Sequence, residues 1–181
     1  MSSDLTKTSK FLSLVLRHRP DRIGLALDVN GWVSVADLIE QARVHGVRLD
    51  RELIRRVVAT NDKKRFALSA DGTKIRANQG HSIDIDLGLE PCQPPEFLFH
   101  GTADRALDNI RKHGLRPGKR RHVHLTGDAA TARAVGARHG RPLVLRIRAG
   151  AMCKDGRDFY MSDNGVWLTA QVPVAFIDFS S

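Results

Sequence analysis

The stretch RFALSADGTKIRA, residues Arg65–Ala77, is the part of the chain that best defines a fold. Two short runs rich in apolar and β-forming residues flank Asp71-Gly72, a dipeptide that favours a tight turn between antiparallel strands. The pattern therefore predicts a β-hairpin here.

Three amphipathic helices are predicted before this hairpin. Apolar residues at three- and four-residue spacing predict the first helix over Leu5–Leu16, and Pro20 ends it. Ser34 marks the start of a second helix that ends at Gly46, and Asp50 caps a third. Three helices followed by a hairpin form the outline of a winged helix, a module that usually binds nucleic acid but in other cases only contacts protein.

The sequence changes character after the hairpin. Residues 87–96 contain three prolines and no periodicity, which predicts a linker. The elements predicted beyond it are a strand at 97–100, helices at 104–113 and 128–139, and strands at 122–126, 143–147, 165–169 and 174–179. We therefore expect an α+β protein with an N-terminal lobe at 1–86 and a strand-rich, mixed α/β lobe at 97–181.

Charge and cysteine content narrow the class of protein. The 181 residues include 29 Lys and Arg against 20 Asp and Glu, a net charge of +9, which favours polyanionic partners or simply reflects a basic protein. Cys92 and Cys153 have no metal-type spacing, so we expect reduced thiols and a cytoplasmic location. No apolar run approaches the ~20 residues of a membrane helix.

Two histidine segments in the second lobe are candidate site residues. His124 alternates with apolar neighbours in its predicted strand, and His100-Gly101-Thr102 ends another strand. Glycine at 101 would let a ligand approach the backbone. A lone strand histidine is more often structural than catalytic, and no cysteine or carboxylate stands near His124 at metal-ligand spacing. We therefore expect no metal.

One loop in the first lobe is a candidate anion site. Gly80-His81-Ser82 follows the hairpin and could present backbone N–H groups to an anion. Without other context, an ordinary surface loop is the better explanation.

Six motifs, taken in order, carry a family resemblance. They are Arg17-His18, Asp62-Lys63-Lys64-Arg65-Phe66, Ile75 to Ser82 (IRANQGHS), His100-Gly101-Thr102, Arg120 before His122-Val123-His124-Leu125, and Asn164 to Thr169 (NGVWLT). Together they resemble the RNA 2′-phosphotransferase (tRNA 2′-phosphotransferase) family over nearly the whole chain. The resemblance implies an N-terminal winged-helix lobe that engages RNA, a C-terminal lobe similar to ADP-ribosyltransferases that binds NAD, and a place in tRNA splicing.

The resemblance also assigns residues to roles. It implies a catalytic and phosphate-binding set of Arg17, His18, Arg65 and Arg120, with Arg120 preferred to Arg121 because of its spacing from the His-Val-His-Leu segment. Gly80, His81 and Ser82 are implied to bind the RNA substrate. The implied NAD contacts are His100, Gly101, Thr102, Asn109, Gly114, Leu115, His124 and Val166.

The chemistry of the family's reaction suits these residue types. A phosphate monoester has a second pKa near ~6, so it attacks the NAD ribose without a general base. Arginine offers a permanent bidentate charge that positions such a dianion, while His18 could either protonate a leaving oxygen or only bind phosphate. Val166 stands where protein-modifying relatives carry glutamate.

Two rival functions remain at this point. One is an ADP-ribosyltransferase that stops once ADP-ribose has been joined to the phosphate. The other is a winged-helix binding module whose second lobe only senses NAD. Nothing in the sequence requires more than a monomer, so we expect a monomer whose partners are RNA with an internal 2′-phosphate and NAD.

Overall fold

A computed structural model describes residues 3–61, 63–118 and 120–179 of the chain. The chain divides into two compact units between Gly88 and Leu89, a point inside the predicted linker. Each unit has its own buried apolar cluster. Helices and small antiparallel sheets occur in both units, so the α+β class is confirmed.

The first unit contains three α-helices followed by a hairpin. In chain order its elements are α1 Ser3–Arg17, a 3-10 turn Pro20–Ile23, β1 Val33–Ser34, α2 Val35–Val44, α3 Arg51–Ala59, β2 Phe66–Leu68 and β3 Lys74–Ala77. The predicted hairpin is confirmed, because β2 and β3 pair antiparallel with Phe66 opposite Ala77. Strand β1 pairs with the other edge of β3. The assignment to the winged-helix class stays a prediction.

Two predicted helix caps account for the starts of α2 and α3. The Ser34 hydroxyl accepts a hydrogen bond from the backbone N–H of Asp37, and the Asp50 carboxylate accepts one of 2.7 Å from Leu53. Each cap satisfies an N–H group that the first helical turn leaves without a partner. Behind them the apolar faces of the helices form the core with β3, whose Ile75 is fully buried.

The second unit is richer in strands. Its elements are β4 Leu98–Ala103, a 3-10 turn Asp104–Ala106, α4 Leu107–His113, β5 Val123–Leu125, α5 Ala129–Gly136, β6 Pro142–Ile147, α6 Ala149–Lys154, β7 Tyr160–Met161, β8 Trp167–Thr169, a 3-10 turn Val174–Phe176 and β9 Ile177–Asp178. The strand orders of its two antiparallel sheets are β4-β6-β9 and β5-β8-β7. Phe99 and Thr126 form an isolated bridge between β4 and the end of β5.

Several predicted boundaries in this unit were wrong. The strand predicted at 174–179 begins as a 3-10 turn, closed by a hydrogen bond from Phe176 N to Pro173 O, and only Ile177–Asp178 is extended. The strand predicted at 165–169 begins at Trp167, because Gly165 has a φ of +76° and belongs to a turn. Apolar composition alone had suggested longer strands at both places.

Other differences concern helices and the length of β4. The helix predicted at 104–113 is split by the 3-10 turn, α5 ends at Gly136 rather than 139, and β4 continues three residues beyond His100. Helix α6 and strand β7 were not predicted. Both are short elements of six and two residues, which carry too little periodicity to detect.

Helix α5 packs on β4 through two glycines. A Cβ on Gly101 would overlap the carbonyl of Ala132, and one on Gly136 would stand 3.1 Å from Thr102 N. The close approach that Gly101 permits is therefore to helix α5. The sequence-based interpretation, that a ligand approaches the backbone there, is not needed to explain this glycine.

We predict that Gly101→Ala destabilises the protein by roughly 1–3 kcal/mol or more, because the added methyl group must push α5 away from β4. Denaturant unfolding at equilibrium measures the change. Gly127→Ala is the matched control, since its Cβ would meet nothing within 4 Å. Equal stability of the two variants would contradict the packing described here.

Candidate functional site

The C-terminal end of α1 carries a buried arginine. Arg17 is only 8% exposed, and its Nη2 donates a 3.1 Å hydrogen bond to the backbone carbonyl of Arg65. Its guanidinium carbon lies 5.7 Å from the centre of the Phe66 ring. The structure thus brings together two predicted site residues that are 48 positions apart in the sequence.

The Gly80-His81-Ser82 segment packs on the same end of α1. Ser82 N donates to the carbonyl of Arg17, and the Ser82 hydroxyl is hydrogen-bonded to Nδ1 of His18 at 2.9 Å. Gly80 has a φ of +88°, and a Cβ there would stand 3.5 Å from the Arg17 guanidinium. The segment is therefore part of one hydrogen-bonded network with Arg17 and His18, and its role as an anion site stays a prediction.

Two buried asparagines hold the loop that carries Arg65, a role that the sequence did not indicate for either of them. Asn61 Oδ1 accepts hydrogen bonds from Lys63 N and from Arg65 Nη1, both at 3.1 Å. Asn78 Nδ2 donates to the carbonyl of Lys64 at 2.7 Å. Lys64 has a φ of +40°, which is unfavourable for a residue with a side chain. The signal in the sequence that could have indicated these buried positions is a polar residue directly beside an apolar segment, at 61 and again at 78.

His81 is a buried histidine in this network, with 4% of its surface exposed. Burial, together with the charges of Arg17, His18 and Arg76, lowers the pKa of His81 to about 4. The imidazole is therefore neutral at pH 7. A protonated His81 would be repelled by the nearby charges of Arg17 and Arg76.

In the second unit, His100 and His124 are linked by a hydrogen bond that defines a tautomer. His100 Nδ1 lies 3.0 Å from the backbone carbonyl of His124. A carbonyl only accepts, so Nδ1 of His100 carries the proton and donates it. Burial lowers the pKa of His100, against the opposing effect of this bond, and the charge of Arg120 lowers it further. Its Nε2 is then an acceptor.

Arg120 sets the opposite tautomer on His124. Its Nη1 is hydrogen-bonded to Nδ1 of His124, and a guanidinium can only donate. His124 Nδ1 is therefore the acceptor, and the neutral ring carries its proton on Nε2. Partial desolvation lowers the pKa of Arg120. The guanidinium nevertheless keeps its positive charge at neutral pH. The pair of rings thus offers one acceptor and one donor.

The remaining predicted NAD contacts lie in varied environments. Thr102 is half-buried in β4, Asn109 is exposed on α4, and Gly114 ends that helix. Leu115 is buried in the core and bridges to Val172. Val166 is half-buried in the turn before β8 rather than in a strand.

Ser162 fixes the turn that contains Val166, and the sequence did not indicate this role. Its backbone N–H donates to the Val166 carbonyl at 3.0 Å, and its hydroxyl accepts from Val166 N at 3.1 Å. Ser162 is 2% exposed. Trp167 is half-buried and packs against the core.

The described part of the chain contains neither a candidate metal cluster nor a candidate membrane helix. Among residues 3–61, 63–118 and 120–179, no group of three or more His, Cys, Asp or Glu is placed to hold a metal ion. None of the helices described is long and apolar enough to cross a membrane.

Comparison with known proteins places this chain in a family. A model of the RNA 2′-phosphotransferase, Tpt1/KptA family, matches residues 3–171. The chain belongs to this family. It is 57% identical over 176 residues to a probable RNA 2′-phosphotransferase of Agrobacterium fabrum, covering 97% of this chain and 95% of that protein. Similar proteins of Flavobacterium johnsoniae and Escherichia coli O6:K15:H31 are each 53% identical, over 100% and 97% of this chain and 100% and 96% of theirs.

Family membership confirms the resemblance seen in the motifs. Of the family-type residues, the first unit holds Arg17, His18, Arg65 and the Gly80–Ser82 segment, and the second holds Arg120, His100 and His124. Asp62, part of one quoted motif, lies outside the described residues. The assignment of these residues to catalysis and NAD binding stays a prediction.

We predict that His81 makes stability pH-dependent. Because its folded pKa of about 4 is below the ordinary 6.5, the unfolded state binds more protons between these values. Stability from this group is fully present above pH 6.5 and is lost as pH falls toward 4, by about 2 kcal/mol between pH 7 and 5. Urea unfolding of wild type and His81→Gln should show this slope only in wild type. His45→Gln, an exposed histidine of the same unit, is the control.

We also predict the ring states of the two strand histidines. Nitrogen NMR should find the proton on Nδ1 of His100 and on Nε2 of His124 at pH 7. In Arg120→Gln the pKa of His100 should rise, because a neighbouring positive charge has been removed. Arg121→Gln is the matched control and should leave that pKa unchanged. A His100 pKa that responds to Arg121 instead would contradict the assignment.

Proposed function

We propose that the protein removes an internal 2′-phosphate from RNA by transferring it to NAD, releasing RNA with a 2′-hydroxyl, nicotinamide and ADP-ribose 1″,2″-cyclic phosphate. One observation carries the proposal: a family match over residues 3–171 includes Arg17, His18 and Arg65, which the structure links in one network. NAD is a co-substrate in this reaction, and no metal takes part.

The first step joins phosphate to sugar. A 2′-phosphate oxygen attacks C1″ of the nicotinamide ribose, and nicotinamide leaves with the bonding electron pair. The phosphate is already ionised at neutral pH, so the step needs positioning rather than a base. We assign that positioning to Arg17, Arg65 and Arg120, whose charges also offset repulsion from the NAD pyrophosphate.

The second step releases the RNA. The ribose 2″-hydroxyl gives up its proton as it attacks phosphorus, the bond to the RNA 2′-oxygen breaks, and that oxygen takes up a proton, so that protons balance. Arginines around the phosphoryl group stabilise the charge that develops on its oxygens. We assign to His18, which is hydrogen-bonded to the Ser82 hydroxyl, the role of either supplying the proton or binding the phosphate. Because His81 is neutral at pH 7, it adds no positive charge to this network.

The second unit provides the groups proposed for NAD. Complementary tautomers give His100 an acceptor and His124 a donor toward ribose hydroxyls, each of which can accept and donate. We assign the rest of the NAD contacts to Gly101, Thr102, Asn109, Gly114, Leu115 and Val166. The backbone, rather than the side chain, is the part of Leu115 available, since the side chain is buried. Val166 leaves no carboxylate to activate a protein acceptor.

The two rival functions predict different products. A transferase that stops after the first step would leave ADP-ribose on the RNA phosphate. A binding module would leave both RNA and NAD unchanged, and would not require His18 or Arg65. The buried contacts that hold Arg17 and Arg65 favour an arranged phosphate site over a merely solvated basic face.

The test uses a short RNA with one internal 2′-phosphate, incubated with and without NAD and analysed by mass. We expect NAD-dependent loss of the phosphate and appearance of ADP-ribose cyclic phosphate. Arg65→Ala should lower the rate by about 10²–10³-fold, the usual effect of losing one preorganised donor. Arg65→Lys should recover only part of it, because lysine lacks the bidentate geometry.

Arg43→Ala is the matched control for this experiment. Arg43 is an exposed arginine of the same unit, paired with Glu40 on the surface of α2, and its loss should leave the rate unchanged. Thermal unfolding of each variant separates loss of structure from loss of chemistry. A stable RNA–ADP-ribose adduct, or no change in either reactant, would contradict the proposal in favour of one of the rivals.

A further inference from the structure

A groove of about 340 Å³ lies in the first unit at the C-terminal end of α3. Its lining residues are Val58, Ala59, Asn61, Lys64, Phe66 and Asn78. The volume falls within the ~300–1,000 Å³ of pockets that hold small organic groups. None of the reaction steps assigned above uses this groove.

The groove is next to the proposed phosphate residues. Lys64 and Phe66, the chain neighbours of Arg65, both line it. Asn78 N donates to the Arg65 carbonyl at 2.9 Å, and Asn61 Oδ1 accepts from the Arg65 guanidinium. The walls of the groove and the position of Arg65 are therefore set by the same hydrogen bonds.

The lining has the mixed character that a nucleobase requires. Val58, Ala59 and Phe66 supply apolar surface for the faces of a ring, and two amides stand at its polar side. Asn78 lines the groove, and its buried Oδ1 accepts no hydrogen bond from any residue in the described ranges. Exposed Lys64 adds positive charge near an RNA backbone.

The strained loop supports the same interpretation. Lys64 adopts a φ of +40° that costs conformational energy, and the Asn61 and Asn78 contacts keep it there. Backbone strain of this kind persists where the surrounding structure enforces it, often at ligand sites. Here the strained residue is the chain neighbour of Arg65 and itself lines the groove.

We propose that this groove binds the base of the RNA nucleotide that carries the 2′-phosphate. The base and the 2′-phosphate are attached to adjacent carbons of one ribose, so a site for each must lie close to the other. The proposal rests on the proposed phosphotransferase function and adds the part of the substrate that the groove recognises. Since any base has an apolar face, the groove binds by stacking with limited preference among bases.

The test combines a blocked groove with an abasic substrate. Ala59→Trp fills the groove from an exposed position without removing a hydrogen bond described above. The two RNAs are identical except that the nucleotide bearing the 2′-phosphate has either a base or only its sugar. We expect wild type to lose at least about fivefold in kcat/KM on the abasic RNA, the lower end of the range for stacking of one base.

The variant should show the complementary result. Ala59→Trp should lose a similar factor on the base-bearing RNA, and little more on the abasic one, because both changes remove the same contact. Val44→Trp is the matched control, an exposed apolar residue that also ends a helix of this unit, and should behave as wild type on both RNAs. If Ala59→Trp unfolds at a lower temperature than wild type, Ala59→Leu replaces it, because leucine obstructs the groove with a smaller side chain.

The outcomes are distinguishable. Equal processing of both RNAs by wild type, or an equal loss on both RNAs in Ala59→Trp, would overturn the base site while leaving the phosphotransferase proposal intact. A wild-type protein that removes phosphate from neither RNA would instead show that the proposed function is wrong.

Discussion

The backbone carbonyl of Arg65 is the acceptor on which the first unit's candidate site depends. It accepts from the guanidinium of Arg17, at the end of α1, and from the backbone of Asn78, just after β3. One carbonyl thus joins a helix, a hairpin and the loop between α3 and β2. Because Arg17 is buried, its charge is held by neighbours and not by solvent, and its direction is fixed before any ligand arrives. Preorganised charge of this kind is more effective in catalysis than an equally charged but mobile surface.

The second unit reaches a comparable result with glycine and histidine. The contact of α5 with β4 at Gly101 holds the strand that presents His100, and the carbonyl of His124 then determines which ring nitrogen is protonated. Arg120 does the same for His124. Hydrogen-bond partners that can only accept or only donate leave each ring one tautomer. Both units therefore position their polar groups through backbone contacts and close packing.

Local signals in the sequence predicted much of this, and long-range contacts account for the rest. The hairpin, the Ser34 and Asp50 caps and the alternation around His124 depend on neighbours within a few residues, so they could be predicted. The 3-10 turn at 174–176 could not, because its apolar residues resemble a strand. Asn61 and Ser162 also escaped notice, and Asn78 was quoted only within a motif, since the importance of all three comes from burial and from partners that only folding brings near. The likeness to a family supplied Arg17, His18 and Arg65 as a set, but not the buried amides that hold them.

The spacing of the contacts at the end of α1 has a consequence for protein synthesis. Arg17 and Arg65 are 48 residues apart, and His18 and Ser82 are 64 apart. During translation the N-terminal helix leaves the ribosome long before its partners, as a basic segment whose arginine has no carbonyl to meet. The hydrogen-bonded network around Arg17 and His18 is completed only when residue 82 has emerged. An incomplete chain therefore carries the positive charge of this segment without the ordered contacts, which arrive with the last strand of the unit and the loop after it.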